Sequence, residues 1–277
     1  MKKILFPTDF SKTANNAFIY ALKLAENINA EIITLHAYEL PIIDNQGFPS
    51  YLFEIYDTIE ISNFENYKGE VPVLHEIAEK NNLGHIKISH VLQQGGLVSV
   101  IEEIAKKDHI DYVVMGTKGA SGLKETFIGS NTASVISNIS PYVVAIPENC
   151  QFHAIKQIGF TTGFKDKDRI ALRELLAISR GFDAMVHCVF VKTLNSKITE
   201  DIIQDWKDDF DDQDVVFHIV KNEDIKEGIL KFTQTNKIDV LAMLDYKRSF
   251  FEELFAHSLT QKIAFQIEIP ILAMHLK

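Results

Sequence analysis

The stretch from Gly116 to Thr132, GTKGASGLKETFIGSNT, has the residue types and spacing to hold a phosphate. It directly follows the apolar run Tyr112-Val113-Val114-Met115, and its glycines fall in the pattern Gly116-x2-Gly119-x9-Gly129-Ser130. Gly116, at the end of a strand, would let a ligand lie against bare backbone, and Gly119 would relieve a turn of positive φ. Gly129 and Ser130 stand where the unpaired N–H groups of a helix begin, a natural anion site with a hydroxyl beside it. Lys118 and Lys124 add positive charge. The pattern is neither the G-x4-G-K-[ST] of P-loop proteins nor G-x-G-x-x-G. Its spacing alone equally suits a glycine-rich connection leading into a capped helix. A second candidate is Asp9 in FPTDFS. An acidic side chain just after a first strand can accept hydrogen bonds from ribose hydroxyls; the same residue can cap a helix in a tight turn. Asp9 and the glycine stretch together suit a nucleotide better than either alone.

Other groups carry less. DWKDDFDDQD, residues 205–214, lacks the glycine and terminal glutamate of an EF-hand loop. Ile202, Ile203, Trp206 and Phe210 share one helical face, so the aspartates form its solvated side. HEIAEK at His75 misses the second histidine of H-E-x-x-H, and no G-x-S-x-G elbow occurs. His36 and His187 are expected at equivalent strand positions, in a repeated structural role. Phe250, Phe251, Leu254 and Phe255 are expected in the core or at a domain interface. No catalytic residue and no metal ligand set is assigned.

The elements that must position these residues come from an internal repeat. ILFPTDFSKTANNAF from Ile4 recurs as IGFTTGFKDKDRIAL from Ile158, and ITLHAYEL from Ile33 as AMVHCVFV from Ala184. IDYVVMG from Ile110 recurs as IDVLAML from Ile238, and SPYVVAIP from Ser140 as IPILAMH from Ile269. The separation between copies shortens after His36, so the first copy carries extra chain between His36 and Ile110. The Pro, Gly and Asn of LPIIDNQGFPSYLFEIYD make that excess a long loop. Two domains, 1–148 and 149–277, joined near residues 147–154, follow. In the first, strands are expected at Lys3–Thr8, Glu31–Ala37, Ile86–Leu92, Tyr112–Gly116 and Val143–Ile146. Helices are expected after Ser11, from about Tyr56 to Asn82, at Leu97–His109 and from Ser130. Apolar strands alternating with amphipathic helices indicate an α/β fold, a parallel sheet with helices on both faces. Right-handed crossovers favour a doubly wound sheet with ligands at the carboxyl ends of its strands.

Composition narrows the partners. Hydrophobic residues make up 46% of the chain and charged residues 24%, the balance of a globular protein with a real core. The net charge of −10 argues against sequence-independent binding to nucleic acid or to an anionic membrane. No apolar run is long enough to span a bilayer. MKKILFPTDF stops at Pro7 and Asp9, too short for a signal peptide, so a cytoplasmic location is expected. The two cysteines, Cys150 and Cys188, are expected to be reduced and packed.

The whole chain resembles a tandem universal stress protein, and its N-terminal half the ATP-binding branch of that family. The residues carrying the resemblance are ILFPTDFS (4–11), LHAY (35–38), DYVVMGTKG (111–119), IGSNT (128–132) and PYVVAIP (141–147). The family's signature G-x2-G-x9-G-[ST] is met without a mismatch. The resemblance implies two Rossmann-like domains, each a five-stranded, mainly parallel sheet of order 3-2-1-4-5. It implies ATP, ADP or AMP in the first, with any Mg2+ carried by the nucleotide. Asp9 would contact ribose and adenine, with Pro7 and Thr8 shaping the wall and Ala37 offering backbone to the adenine edge. Met115 and Gly116 would flank the ribose. Gly119, Gly129, Ser130, Asn131 and Thr132 would surround the phosphates. The last strands, Val143–Ile146 and Ile271–His275, would pair across domains or subunits, with a homodimer expected.

The second copy departs from this pattern. Gly116 becomes Leu244, Gly119 becomes Lys247, Gly129 becomes His257 and Asp9 becomes Gly163; only Ser130 survives, as Ser258. No comparable nucleotide site is expected there, although Lys247, Arg248 and His257 could form a different anion site or be ordinary surface groups. The leading function is a regulatory nucleotide-binding stress protein in which ATP orders residues 117–130 and changes a surface offered to an unknown protein partner. The alternatives are a slow ATPase or nucleotidyl-transfer enzyme, and a nucleotide-free scaffold.

Overall fold

The structure, a computed structural model, describes residues 1–40, 49–117, 130–244 and 268–275, without the side chains of 49–53 and 130. Its first half runs β1 (Lys2–Pro7), α1 (Lys12–Ile28), β2 (Ala30–Tyr38), α2 (Pro49–Lys80), β3 (Ile88–Gln94), α3 (Leu97–Lys107), β4 (Tyr112–Gly116), α4 (Ser130–Asn138) and β5 (Tyr142–Ile146). The second repeats the order as β6 (Gln157–Thr161), α5 (Asp166–Phe182), β7 (Met185–Lys192), α6 (Glu200–Asp209), β8 (Val215–Lys221), α7 (Ile225–Thr235), β9 (Val240–Leu244) and β10 (Ile271–Met274).

These strands form one ten-stranded sheet, β3-β2-β1-β4-β5-β10-β9-β6-β7-β8. Each half has the doubly wound order 3-2-1-4-5, with parallel pairing throughout. The halves join where β10 lies antiparallel to β5, placing Ile271 opposite Ala145 and Ala273 opposite Val143. The last strands therefore pair across the two halves of one chain, and β5 has a neighbour on both edges.

Alternation along each strand builds the cores. Leu5, Ile33, Leu35, Val113 and Met115 face α3 and α4, and their cluster runs on across the seam to Leu241, Met243 and Ile271. On the other face, Ile4, Phe6 and Ile32 pack under α1 and the C-terminal half of α2. Phe160, Cys188 and Phe190 do the same under α5 and α6. Both cysteines are free and buried.

Three sequence-based expectations need correction. The excess chain of the first copy is not all loop: α2 starts at Pro49 and has 32 residues, against 10 in α6. Proline suits the first helical turn, which needs no N–H donor, so Pro49 opens this helix where it was expected to lie in the loop before it. Second, His36 and His187 are not equivalent. Phe6 pairs with Thr34 and Phe160 with Cys188, so Thr34 matches Cys188, His36 matches Phe190, and His187 matches Ile33. An odd register shift puts the two histidines on opposite faces of the sheet. Third, Ile202 is 37% exposed and does not share the buried face of Ile203, Trp206 and Phe210.

Candidate functional site

β1 lies between β2 and β4, and the chain turns to opposite sides of it to reach each neighbour. This is the switch point of a doubly wound sheet, where a crevice opens beyond the carboxyl ends of the strands. Three sequence-predicted groups meet there: Pro7 at the end of β1 with Thr8 and Asp9 directly after it, Ala37 near the end of β2, and Met115 and Gly116 at the end of β4.

The turn after β1 is held from several sides. The Thr8 N–H donates to Leu35 O at 2.8 Å, and His36 Nδ1 donates to Thr8 O at 2.8 Å. Thr8 Oγ1 accepts from Phe10 N at 3.0 Å. Asp9 Oδ1 accepts from Ser11 N at 3.1 Å, and Ser11 Oγ caps α1 by accepting from Ala14 N at 3.2 Å. Asp9 thus fills the tight-turn role. A carboxylate offers about four acceptor positions, so the Ser11 bond leaves capacity for further contacts. The turn forces Phe10 to φ +58°, a left-handed conformation uncommon outside glycine. Its ring rests on His36 with centroids 5.2 Å apart, and Tyr67 of α2 completes the group, 5.8 Å from Phe10 and stacked on His36 at 6.2 Å. Burial raises the Tyr67 phenol above its usual range. Beyond Tyr67, His90 Nδ1 meets Thr34 Oγ1 at 2.7 Å and His90 Nε2 meets His75 Nε2 at 3.1 Å. Burial, then the nearby His75, lowers the His90 pKa.

On the other flank, Thr132 in the first turn of α4 is buried, and its hydroxyl donates to Gly116 O at 3.1 Å. Thr117 is buried too, its N–H donating to Ile146 O at 2.9 Å. These bonds bring the N-terminus of α4 to the same sheet edge as Asp9, with Asn131 exposed beside it. Backbone N–H groups in a helix's first turn lack intrahelical partners, which makes that end attractive to anions. Gly119, Gly129, Lys118 and Lys124 lie outside the described residues, as does the Ser130 side chain. Sequence reasoning missed Tyr67 and the turn-holding role of His36. The recurrence of Phe10 as Phe164 was the one available signal.

The second half rebuilds this turn in a closed form. Phe164 is also left-handed, φ +54°, and its N–H donates to Thr162 Oγ1 at 2.8 Å. Its ring packs on Phe190, Trp206 and Phe217, at 5.3, 5.1 and 6.4 Å. The histidines and tyrosine of the first half are thus replaced by apolar rings. Asp168, in the place of Ala14, is fully buried. Its Oδ2 accepts from Thr162 Oγ1, Gly163 N and Lys165 N at 3.0, 2.7 and 3.1 Å. Burial raises its pKa above the usual carboxylate value despite those bonds. A Cβ at Gly163 would meet nothing closer than 3.6 Å, so space does not require glycine where the first half has Asp9. Lys247, Arg248, Phe250, Phe251, Leu254, Phe255, His257 and Ser258 lie outside the described residues. Among the described residues no three His, Cys, Asp or Glu side chains converge as a metal site, and no helix is long and apolar enough to cross a membrane.

Sheet order and crevice define a duplicated, Rossmann-like α/β protein. The chain belongs to the universal stress protein family, whose model matches residues 1–147. Universal stress protein MJ0577 of Methanocaldococcus jannaschii is 28% identical over 155 residues, 52% of this chain and 94% of that protein. A universal stress protein from Archaeoglobus fulgidus shares the fold over both halves. Its TM-score is 0.72 at 17% identity, and the match covers 99% of this chain and 96% of that one. A Pseudomonas aeruginosa structure described as a putative universal stress protein matches at TM-score 0.64 and 10% identity, over 99% and 93% of the two chains.

Proposed function

We propose that this chain is a cytoplasmic regulatory stress protein that binds an adenine nucleotide, ATP, ADP or AMP, in a domain spanning residues 1–148. The observation that carries this is the meeting at one switch point of the Asp9 turn, the Ala37 backbone, Gly116 and the first turn of α4, the last two tied by the Thr132–Gly116 bond. In this reading Asp9 takes the ribose hydroxyls, with Pro7 and Thr8 as wall and Ala37 at the adenine edge. Met115 and Gly116 flank the ribose. Gly119, Gly129, Ser130, Asn131 and Thr132 surround the phosphates, and any Mg2+ arrives with the nucleotide. In this reading the domain spanning 149–277 has no comparable site, because Gly163, Leu244, Lys247 and His257 stand where the first half has Asp9, Gly116, Gly119 and Gly129. Nucleotide binding would alter the surface that residues 117–130 offer to a partner. The proposal includes a homodimer, and with both edges of β5 occupied its contact must use another surface.

Calorimetric titration with ATP, ADP, AMP and adenosine tests the reading. Gly129→Val should abolish ATP binding by filling the phosphate site. Asp9→Ala should weaken adenosine as well as the nucleotides, because it acts at the ribose. Unchanged affinity in Gly129→Val, or an Asp9→Ala effect confined to triphosphates, would contradict the assignment. Steady ATP turnover that vanishes in Gly129→Val would move the reading to a phosphoryl-transfer enzyme.

A further inference from the structure

We propose that the outward face of α2 between Glu54 and Glu65 docks a basic, amphipathic segment of another protein. This surface is independent of the nucleotide reading. At 1.5 Å per residue, α2 is about 48 Å long. The five strands of its half, with five to nine residues each, are roughly 17–30 Å deep. The helix is therefore longer than the sheet beneath it. Its C-terminal half is anchored by Tyr67, Leu74 and Ala78, all buried, whereas no residue from Glu54 to Asn66 is fully buried. The surplus length thus lies at the N-terminal end of α2, which enters from the edge where β2 ends.

Helical spacing sets Glu54, Asp57, Ile61, Phe64 and Glu65 on one side of this arm. Ile61 is 62% exposed and Phe64 52%, and Glu54, Asp57 and Glu65 are exposed around them. No Lys or Arg occurs from Pro49 to Tyr67; Lys68, exposed one turn after Phe64 on the same side, is the first cation along the rim, which its three carboxylates leave net negative. An apolar centre within a charged rim is how a recognition surface is built, and residues at i, i+3, i+4 and i+7 suit an amphipathic segment laid alongside. The sign of the rim selects the occupant. A second copy would set acidic rim against acidic rim, and an anionic membrane would be repelled. Two apolar side chains also fall well short of the roughly 1,000 Å2 that a lasting interface buries. A short Lys- or Arg-bearing apolar segment, held transiently, fits both the charge and the size. Among the described residues of the second half, the matching helix differs: α6 has 10 residues, and its Asp205 and Asp209 are paired with Arg169 and Arg173 of α5.

The test is a fluorescence-anisotropy titration of the full chain with two labelled synthetic 18-residue peptides, one of amphipathic Leu/Lys pattern and one of matching Leu/Glu pattern. The Leu/Lys peptide should bind, more weakly as salt is raised, and the Leu/Glu peptide should not. Ile61→Ser/Phe64→Ser should weaken binding at least tenfold although net charge is unchanged, with thermal unfolding like that of the parent because both side chains lie outside the core. A second variant, Glu54→Gln/Asp57→Asn/Glu65→Gln, should weaken it while leaving the apolar pair in place. Equal binding by parent and both variants would reduce the effect to diffuse charge and overturn the proposal. So would equal binding of the two peptides, or a sedimenting dimer that dissociates in the Ile61→Ser/Phe64→Ser variant.

Discussion

Asp9 and Asp168 show how one carboxylate can advertise itself in a sequence while another stays hidden. Asp9 is the one acid between its strand and its helix, exposed and legible as either a turn-capping or a ribose-binding group, and the structure puts it at the sheet's switch point. Asp168 sits in KDKDR, a run that looks like solvated helix surface, yet it is fully buried. Only its place three residues after the cap, where an acid can reach back to the backbone, hinted at this. Its Oδ2 accepts from three donors of the turn at once. Asp168→Ala removes the acceptor from three part-buried donors, which should cost about 1–3 kcal/mol. Asp168→Asn keeps one acceptor oxygen and should cost less. Urea unfolding of both variants checks this; an alanine variant as stable as the parent would mean that water takes over these bonds.

Elements were legible wherever period and punctuation agreed. β4 has the bounds its apolar run predicts, and Ser11 caps α1 as expected. The start of α2 was obscured because Gly47 and Pro49 resemble loop punctuation, although Pro49 belongs to the helix. Strand register was the harder property, since matching two histidines by eye misses which face each occupies. The register reveals a second pair: His187 Nδ1 lies 3.0 Å from His218 Nε2, bridging β7 and β8, where the first half carries Ile33 and Val91. Burial lowers the pKa of both, as it does for His90, so all three favour the neutral form in the folded chain. The unfolded chain titrates near the ordinary value of about 6.5 and binds more protons below it. Stability from these groups is therefore complete above that pH and declines as pH falls through it. Urea midpoints should drop between about pH 7 and pH 5.5. The double substitution His187→Ile/His218→Val should flatten that limb, and an unchanged slope would place the acid sensitivity elsewhere.

The two halves are joined as one body by the β5–β10 pairing and by a core that passes from Val143 and Ala145 to Ile271 and Ala273. Pairing of the last strands was implied by the family resemblance, which left open whether it would run across domains or subunits; the structure pairs β5 and β10 of one chain. On the opposite face the fit is looser. Tyr20 and Leu24 of α1 face Ile178 and Phe182 of α5 across an apolar cavity of about 50 Å3, floored by Val144 and Leu272. Such a lining offers water no partners, so the space is lost packing. Val144→Ile, at the seam itself, adds one methylene to it. Filling that space should stabilise the chain by about 0.8 kcal/mol and raise the melting temperature by roughly 2 °C. Because one core crosses the seam, calorimetry should show a single transition that moves as a unit. Two transitions, of which only one shifts, would mean that the shared sheet joins the halves without making their unfolding cooperative.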